Sequence, residues 1–398
     1  YPEEKSGRDG IFFMRDKKRE ILAGLLGLTM LLSACGGSNS NAASGDTAGS
    51  NIITAYNSEP QNPLIPGNTN ETGGGKPVDL LFSRLVSFDK DGKASNEVAE
   101  SITPNDDATQ YTIKIKSGWK FTDGTPVTAE SFTKAWSYVA NAKNAQKCSS
   151  FFSSIKGYDK LQDANSLKGD EQLEGLKVKD DKTFTVDLNA PDSVFPVKIG
   201  YLAFAPLPES FYKDPKAFGE KPVSNGPYKL DHWDHNKEIA LVKNPDYKGN
   251  EQPKNDGVTF KVYTDDSAAY RDIQAGNLDV MDQIPQSAVK TFRQDSSVIA
   301  YSQAGSSFQS FVIPERLEHF GNDEEGQLRR QAISMAINRD QIVKKVYNNT
   351  KTPLASWNEF RKHLKDSDWD DAAKCFGRLE IDNRFAWNWE DATVDERM

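Results

Sequence analysis

The stretch between residues 111 and 139 most constrains the fold, because a strand pattern gives way there to a helix pattern. Apolar and polar residues alternate over Tyr111–Lys116, which predicts a half-buried strand. Ser117–Gly118 then turns the chain, and Thr128 is a suitable N-cap for a helix that continues through Val139. Because similar patterns of both kinds are mixed along the chain, the sequence predicts an α/β or α+β protein of several lobes.

The remaining patterns predict further elements in the same way. Strands are expected at Asn51–Tyr56, Tyr228–Leu230 and Glu238–Lys243, a hairpin at Val178–Leu188, a long loop at Asn57–Lys76, and helices at Val78–Phe88, Asp265–Gly276 and Leu328–Tyr347. Gly276 is expected to end the helix that begins at Asp265.

The N-terminal segment is typical of a secreted protein. A basic cluster at 15–19 precedes an apolar run, Ile21–Leu32, that is too short to span a bilayer. The tetrad Leu32–Cys35 then resembles a bacterial lipobox, in which the Cys is acylated and becomes the new N-terminus. Cys35 is therefore the predicted lipid anchor, and the alternative is an ordinary cleaved signal peptide with a chance Cys. Residues 36–50 are rich in Gly, Ser and Asn and predict a flexible tether.

Size and charge restrict the class of protein. The chain has 398 residues, which suits two or three lobes, and its formal net charge is −9. An acidic chain of this kind argues against nucleic-acid binding, which needs a basic surface. Besides Cys35, the chain contains Cys148 and Cys375; two free thiols are expected, although a disulfide between them stays open.

Five collinear segments resemble the extracellular solute-binding proteins of family 5, the oligopeptide and dipeptide receptors of ABC importers. The strongest is YTIKIKSGWKFTDGTPVTAESFTKAW at 111–136. The others are LFSRLVSFDKDGK at 81–93, SNGPYKL at 224–230 with NPDYKG at 244–249, RDIQAGNLDV at 271–280, and LRRQAISMAINRDQIV at 328–343.

The resemblance implies an α/β bilobal clamshell of the type II periplasmic-binding-protein kind, with an inserted domain and an incomplete second lobe. By analogy the chain divides into an upstream extension and lipoprotein signal peptide (1–34), a lipidated Cys and tether (35–50), lobe I (51–85 and 221–300), the insert (86–220), the start of lobe II (301–353) and an atypical tail (354–398).

The tail is expected to differ from the family. Family members continue well beyond the position of Pro353, whereas Ala355–Met398 does not resemble them and carries four of the seven Trp residues. The carboxylate that binds the amino group of a peptide lies, by the resemblance, in the part that this chain lacks. No residue of this sequence is therefore assigned that role.

The resemblance also implies the ligand-binding residues. A segment of the early loop runs beside the peptide in the family, and it corresponds here to the backbones of Asn70 and Thr72. Phe151 falls near a ligand-facing aromatic residue of the insert, although core packing is the alternative interpretation. The turn Asp123–Pro126 is expected to be structural. His232 and His235 fall on opposite faces of a strand, so no metal site is expected, and no cofactor is implied.

The resulting hypothesis is a monomeric, lipid-anchored binding protein that captures peptides outside the cell and delivers them to an ABC importer permease. The sequence contains neither the Gly-x-Ser-x-Gly motif nor the His-Glu-x-x-His motif, and no catalytic residue is expected. Three alternatives stay open: the same fold with a metal chelate, haem or sugar as ligand, a truncated receptor without function, and, more remotely, a surface hydrolase.

Overall fold

The computed structural model describes residues 13–14, 51–89, 92–301, 310 and 312–353. The strands are β1 (Phe13–Met14), β2 (Ile52–Asn57), β3 (Val86–Phe88), β4 (Ala94–Asn96), β5 (Ala99–Pro104), β6 (Gln110–Ile115), β7 (Leu176–Asp180), β8 (Thr183–Asp187), β9 (Tyr228–Asp234), β10 (Glu238–Lys243), β11 (Gly257–Val262), β12 (Val280–Met281) and β13 (Ile299–Ala300). The α-helices are α1 (Thr72–Leu81), α2 (Ala129–Ala140), α3 (Phe195–Lys198), α4 (Pro215–Glu220), α5 (Asp266–Ala275), α6 (Glu324–Ala336) and α7 (Arg339–Lys345).

The largest sheet has seven strands in the order β13-β1-β12-β2-β11-β10-β9. In it β2 runs parallel to β11 and β12, whereas β10 is antiparallel to β9 and β11. Residues 1–34 were expected to lie outside the fold, but Phe13–Met14 pairs with both β12 and β13. At this position the extended dipeptide pairs with backbone groups of both neighbouring strands.

Two smaller sheets come from the middle of the chain. β5, β6, β8 and β7 form an antiparallel sheet of four strands, and β3 pairs with β4 in a short hairpin. Helix α2 contacts β7 and β8 and buries Phe132 and Trp136. The indole Nε1 of Trp136 donates to the carbonyl oxygen of Phe204 at 2.9 Å, so the largest buried ring of the helix also satisfies its polar atom.

One hydrophobic core joins residues of the large sheet and of the four-stranded sheet. It includes Val78 of α1, Tyr111 of β6, Trp136 of α2 and Phe260 of β11. A smaller cluster lies around α5 and contains Ile273, together with other residues of that region. The borders predicted for lobe I and the insert, at residues 85 and 220, stay predictions.

The prediction of a helix at Val78–Phe88 was wrong in both its start and its end. Helix α1 begins earlier because Glu71, in extended backbone, caps it: its carboxylate accepts from the N–H of Gly74 at 3.0 Å. Phe82 returns to extended backbone (φ −125°, ψ 121°) and ends the helix, and Val86–Phe88 is a strand. The glycine run of the expected loop therefore lies inside a helix.

The single helix predicted at Leu328–Tyr347 is two helices, α6 and α7. Ile337 is extended (φ −83°, ψ 110°), and the side chain of Asn338 accepts from the N–H of Gln341 at 2.9 Å, so a new helix starts there. A local cap thus overrides the continuous apolar pattern. The strands and helices predicted at β2, β6 to β10, α2 and α5 are confirmed within one or a few residues.

Candidate functional site

An open groove of about 400 Å³ lies beside the N-terminal end of α1. The segment that leads into the helix forms one wall, and residues that follow α3 form the other. The lining residues are Thr69, Asn70, Glu71, Thr72, Gly75, Lys76, Asp79, Tyr201 and Leu202.

Glycines allow the first turn of α1 to pack closely against its surroundings. A Cβ on Gly73 would lie 2.7 Å from the carbonyl oxygen of Ser58, and one on Gly74 would lie 2.5 Å from a carboxylate oxygen of Glu71. Gly75 has open space on its Cβ side and lines the groove. The turn is thus held by close backbone packing on one side and is open to the groove on the other.

The main chain at Asn70 and Thr72 offers hydrogen-bonding groups to the groove. Both residues are exposed and line it. Within the described residues, no hydrogen bond is found for the backbone N–H or C=O of Asn70, or for the N–H of Thr72. Thr72 is the first residue of α1, where a helix leaves its N–H groups without an internal partner.

A stacked aromatic pair, with Phe151 exposed and Tyr201 half-buried, adjoins the groove. Phe151 stacks on Tyr201 with ring centroids 4.6 Å apart and planes inclined by 12°, and Tyr201 lines the groove. Burial, with a smaller contribution from Cys148, raises the pKa of Tyr201, so its hydroxyl stays protonated at neutral pH and is able to donate a hydrogen bond.

The charged residues of the groove are paired within the protein. The ammonium of Lys76 lies 2.7 Å from a carboxylate oxygen of Asp282 and donates to the carbonyl oxygen of Tyr56 at 3.1 Å. Asp79 lies 2.8 Å from the guanidinium of Arg84. The carboxylate of Glu71 accepts from the N–H of Gly74 in the cap of α1, so each charged side chain of the lining has a partner within the protein.

The residues predicted from the sequence lie at or beside this groove, and their role in binding stays a prediction. Asn70 and Thr72 lie in the groove, and Phe151 reaches it through its contact with Tyr201. Tyr201 and Lys76 were not predicted as site residues. Tyr201 meets the loop only through the tertiary fold, whereas Lys76 lies one turn after Thr72 in α1, a helix that the sequence prediction began too late.

Cys148 is a buried thiol within the hydrophobic core. Its side chain is fully buried, and the thiol donates to the carbonyl oxygen of Thr69 with sulfur and oxygen 3.4 Å apart. Burial raises the pKa of the thiol to about 11, so the reactive thiolate is scarce at neutral pH. Cys148 is a free cysteine, whereas Cys35 and Cys375 lie outside the described residues.

The turn at Asp123–Pro126 is structural, as predicted. A carboxylate oxygen of Asp123 accepts from the N–H of Thr125 at 2.9 Å and from its hydroxyl at 2.6 Å. Gly124 has φ +86°, a conformation that favours glycine.

The two histidines considered for a metal site lie apart. His232 belongs to β9, and His235 follows that strand in the turn to β10.

In the part of the chain that the structure describes, no helix combines the length and the apolarity needed to cross a membrane.

Comparison with known proteins decides the family. The family described as "Bacterial extracellular solute-binding proteins, family 5 Middle" matches residues 93–374, more than half of the chain. The chain belongs to family 5 of the bacterial extracellular solute-binding proteins. The family match runs beyond residue 353, where the atypical tail was predicted to begin, but that part lies outside the described residues.

Curated relatives of this family 5 protein include peptide-binding proteins of Bacillus subtilis (strain 168). The oligopeptide-binding protein OppA is 28% identical over 349 residues, covering 85% of this chain and 62% of the relative. The dipeptide-binding protein DppE is 28% identical over 336 residues, covering 82% of this chain and 60% of the relative. The family 5 chain thus spans about 60% of the length of these relatives.

Solved structures establish the fold of the family 5 chain. An oligopeptide-binding protein of Borrelia burgdorferi has a TM-score of 0.62 at 22% identity, covering 75% of this chain and 59% of its own. The murein tripeptide-binding protein MppA of Escherichia coli has a TM-score of 0.62 at 21% identity, with 83% and 66% covered. The predicted family and the predicted α/β fold of the periplasmic-binding-protein type are therefore confirmed.

Proposed function

We propose that this chain is the substrate-binding component of an ABC importer and that it captures oligopeptides or dipeptides outside the cell for delivery to a permease. The observation that carries the proposal is the groove, where the N–H and C=O of Asn70 and the N–H of Thr72 lack partners among the described residues, beside the stacked rings of Phe151 and Tyr201. The names of its relatives, which bind oligopeptides and dipeptides, support the same ligand class.

The mechanism requires binding without catalysis. An extended peptide pairs its backbone with the main chain at Asn70 and Thr72, which gives affinity with little dependence on peptide sequence. Peptide side chains enter the open groove, where water and the rings of Phe151 and Tyr201 accept varied shapes. Contacts that form only when the lobes close shift the population toward the closed state, which the permease recognises.

The proposal places the protein on the outer face of the cell membrane as a monomer held by acylated Cys35. The lipobox-like tetrad Leu32–Cys35 supports this, and several acyl chains on one residue give stable anchoring. In the producing bacterium, Cys35→Ser is expected to abolish incorporation of labelled fatty acid and to release the protein from the membrane fraction. Unchanged labelling of the variant would exclude Cys35 as the anchor.

The main-chain contact is tested with a substitution that removes one N–H. Thr72→Pro deletes the N–H at the first position of α1, where proline is tolerated, and Glu71 before it is already extended. Loss of one hydrogen bond should weaken peptide binding about three- to tenfold. Thr72→Ala keeps the N–H and is the matched control, and affinities are measured by titration calorimetry with a peptide first identified by native mass spectrometry of a peptide library.

Each outcome of this experiment decides something. Peptide binding that weakens in Thr72→Pro and persists in Thr72→Ala supports the groove as the peptide site. Equal affinities of the two variants would move the site elsewhere. Retention of a non-peptide solute alone, or an empty protein where a relative such as OppA binds, would replace the peptide proposal by one of the alternatives named from the sequence.

A further inference from the structure

We propose that the β9–β10 hairpin binds a divalent transition-metal ion, with Zn²⁺ as the reference ion, through His232, Asp234 and Glu238. One ligand atom from each of the three side chains lies within 4.8 Å of the others. None of these residues lines the groove, so the site is separate from the proposed peptide-binding surface.

The strand register brings the three side chains to one face of the hairpin. Asp234 and Glu238 are directly paired across the antiparallel strands. His232 lies two residues before Asp234 on β9, and side chains two apart in a strand share a face. The residue opposite His232 is Ala240, whose small side chain leaves room for the imidazole.

The ligand spacing suits a tetrahedral ion. The Nε2 atom of His232 lies 3.5 Å from a carboxylate oxygen of Glu238. Two donors bound to one tetrahedral zinc at about 2.0–2.1 Å are separated by roughly 3.3–3.4 Å. A small side-chain adjustment therefore brings both atoms to bonding distance, with Asp234 as the third ligand and water as the fourth.

A neighbouring carboxylate orients the imidazole for this role. The Nδ1 atom of His232 lies 2.8 Å from a carboxylate oxygen of Asp231. Histidines that bind metals usually donate their second ring N–H to such a carboxylate, which fixes the tautomer and leaves the other nitrogen free. Here that arrangement directs Nε2 toward Glu238.

The ammonium of Lys237 lies beside the two carboxylates that would bind the metal ion. The ammonium of Lys237 lies 3.0 Å from a carboxylate oxygen of Asp234 and 3.3 Å from one of Glu238. Its side chain is 67% exposed, so it moves into water at little cost when an ion binds. The two carboxylates therefore already stabilise a cation, and Lys237 is its competitor.

The other described histidines are placed differently. Both ring nitrogens of His235 lie 2.9 Å from carboxylate oxygens, one of Glu59 and one of Glu220, on opposite sides of the ring. His319 lies 3.2 Å from Glu325 and 3.7 Å from Glu318, again through different ring nitrogens. His232 likewise has a carboxylate at each ring nitrogen, but among the described histidines it alone belongs to a group in which ligand atoms of two further carboxylates, Asp234 and Glu238, lie within 4.8 Å.

The test is calorimetric titration of Zn²⁺ into the untagged protein without peptide. Cys35 and Cys375 are replaced by Ser in all samples, because free thiols also bind zinc. One saturable site is expected. His232→Ala should weaken it at least tenfold, and Asp231→Asn should weaken it about tenfold through loss of the orienting carboxylate. The matched control is His319→Ala, which should leave the affinity unchanged.

A variant that binds zinc more tightly is the second test, because a misfolded variant would lose affinity and not gain it. Lys237→Gln removes the competing charge and is expected to tighten zinc binding about fivefold, since no ammonium then has to leave the two carboxylates when the ion binds. No saturable binding, no gain in Lys237→Gln, or equal losses in His232→Ala and His319→Ala would overturn the proposal.

Discussion

At the residue scale, Phe151 and Phe152 are identical neighbours with opposite environments. Phe152 is fully buried and packs on Phe204, with ring centroids 4.5 Å apart. Phe151 is 48% exposed and packs on Tyr201 beside the groove. Both belong to the short 3₁₀ helix Ser149–Phe152, whose tight turn sends adjacent side chains in different directions. One ring thus belongs to the core and the other remains available to a ligand.

The exposed ring leads to a prediction about peptide affinity. Phe151→Ala should weaken binding of peptides with aromatic side chains by about 1 kcal/mol, roughly fivefold, because ring stacking is lost. Its melting temperature should change little, since the ring is half exposed. Calorimetric titration and thermal unfolding measure the two effects.

The adjacent position is the control. Phe152→Ala should lower the free energy of unfolding by about 3–5 kcal/mol, because it leaves a cavity in the core. If Phe151→Ala bound aromatic peptides as tightly as the original protein, the aromatic pair would have no part in recognition.

At the element scale, side-chain caps decide where several of the helices begin. Glu71 starts α1 and Asp265 starts α5 by accepting from backbone N–H groups of the first turn. At α2 the hydroxyl of Thr128 accepts from the N–H of Ser131 at 3.3 Å, and the hydroxyl of Ser131 accepts from the N–H of Thr128 at 3.1 Å. This reciprocal cap fixes the start of the helix that carries Trp136 into the core.

Removal of the reciprocal cap should destabilise the protein measurably. Thr128→Ala is expected to lower the free energy of unfolding by about 1 kcal/mol, because the N–H of Ser131 loses its side-chain acceptor. Thr128→Ser retains the hydroxyl and should remain close to the original protein. Urea unfolding followed by tryptophan fluorescence compares them, and equal midpoints for Thr128→Ala and Thr128→Ser would contradict the cap.

At the scale of the whole molecule, His235 links three segments that are distant in sequence. Its ring nitrogens contact Glu59 in the loop after β2 and Glu220 at the end of α4, and its own position is the turn before β10. Hydrogen bonding to Glu59, then to Glu220, raises the pKa of His235 above its usual value. The protonated imidazole therefore binds both carboxylates at once.

The sign of the pH dependence follows from this link. Because the pKa of His235 is raised by folding, its stabilising contribution is fully present below the unfolded pKa near 6.5 and is lost as pH rises through the folded value. The melting temperature should therefore fall as pH rises from about 6 to above the folded pKa, and His235→Gln should reduce that slope. Thermal unfolding across this range checks it, and an identical slope in the variant would contradict the proposed contribution.

Local sequence patterns determined most of the elements and the family. Alternation predicted β6, the cap at Thr128 predicted α2, and Gly276 ends α5 in the left-handed conformation with φ +78°. Each of these signals arises from residues a few positions apart, which is the range over which backbone hydrogen bonds and steric preferences act.

Only the tertiary structure decided the groove and the partners of its charges. Tyr201 meets Phe151, and Lys76 meets Asp282, through packing of segments that are far apart in the chain. Local patterns fix which face of an element is apolar, but which faces and loops come together is set by burial of the shared core, and no short stretch of sequence contains that information.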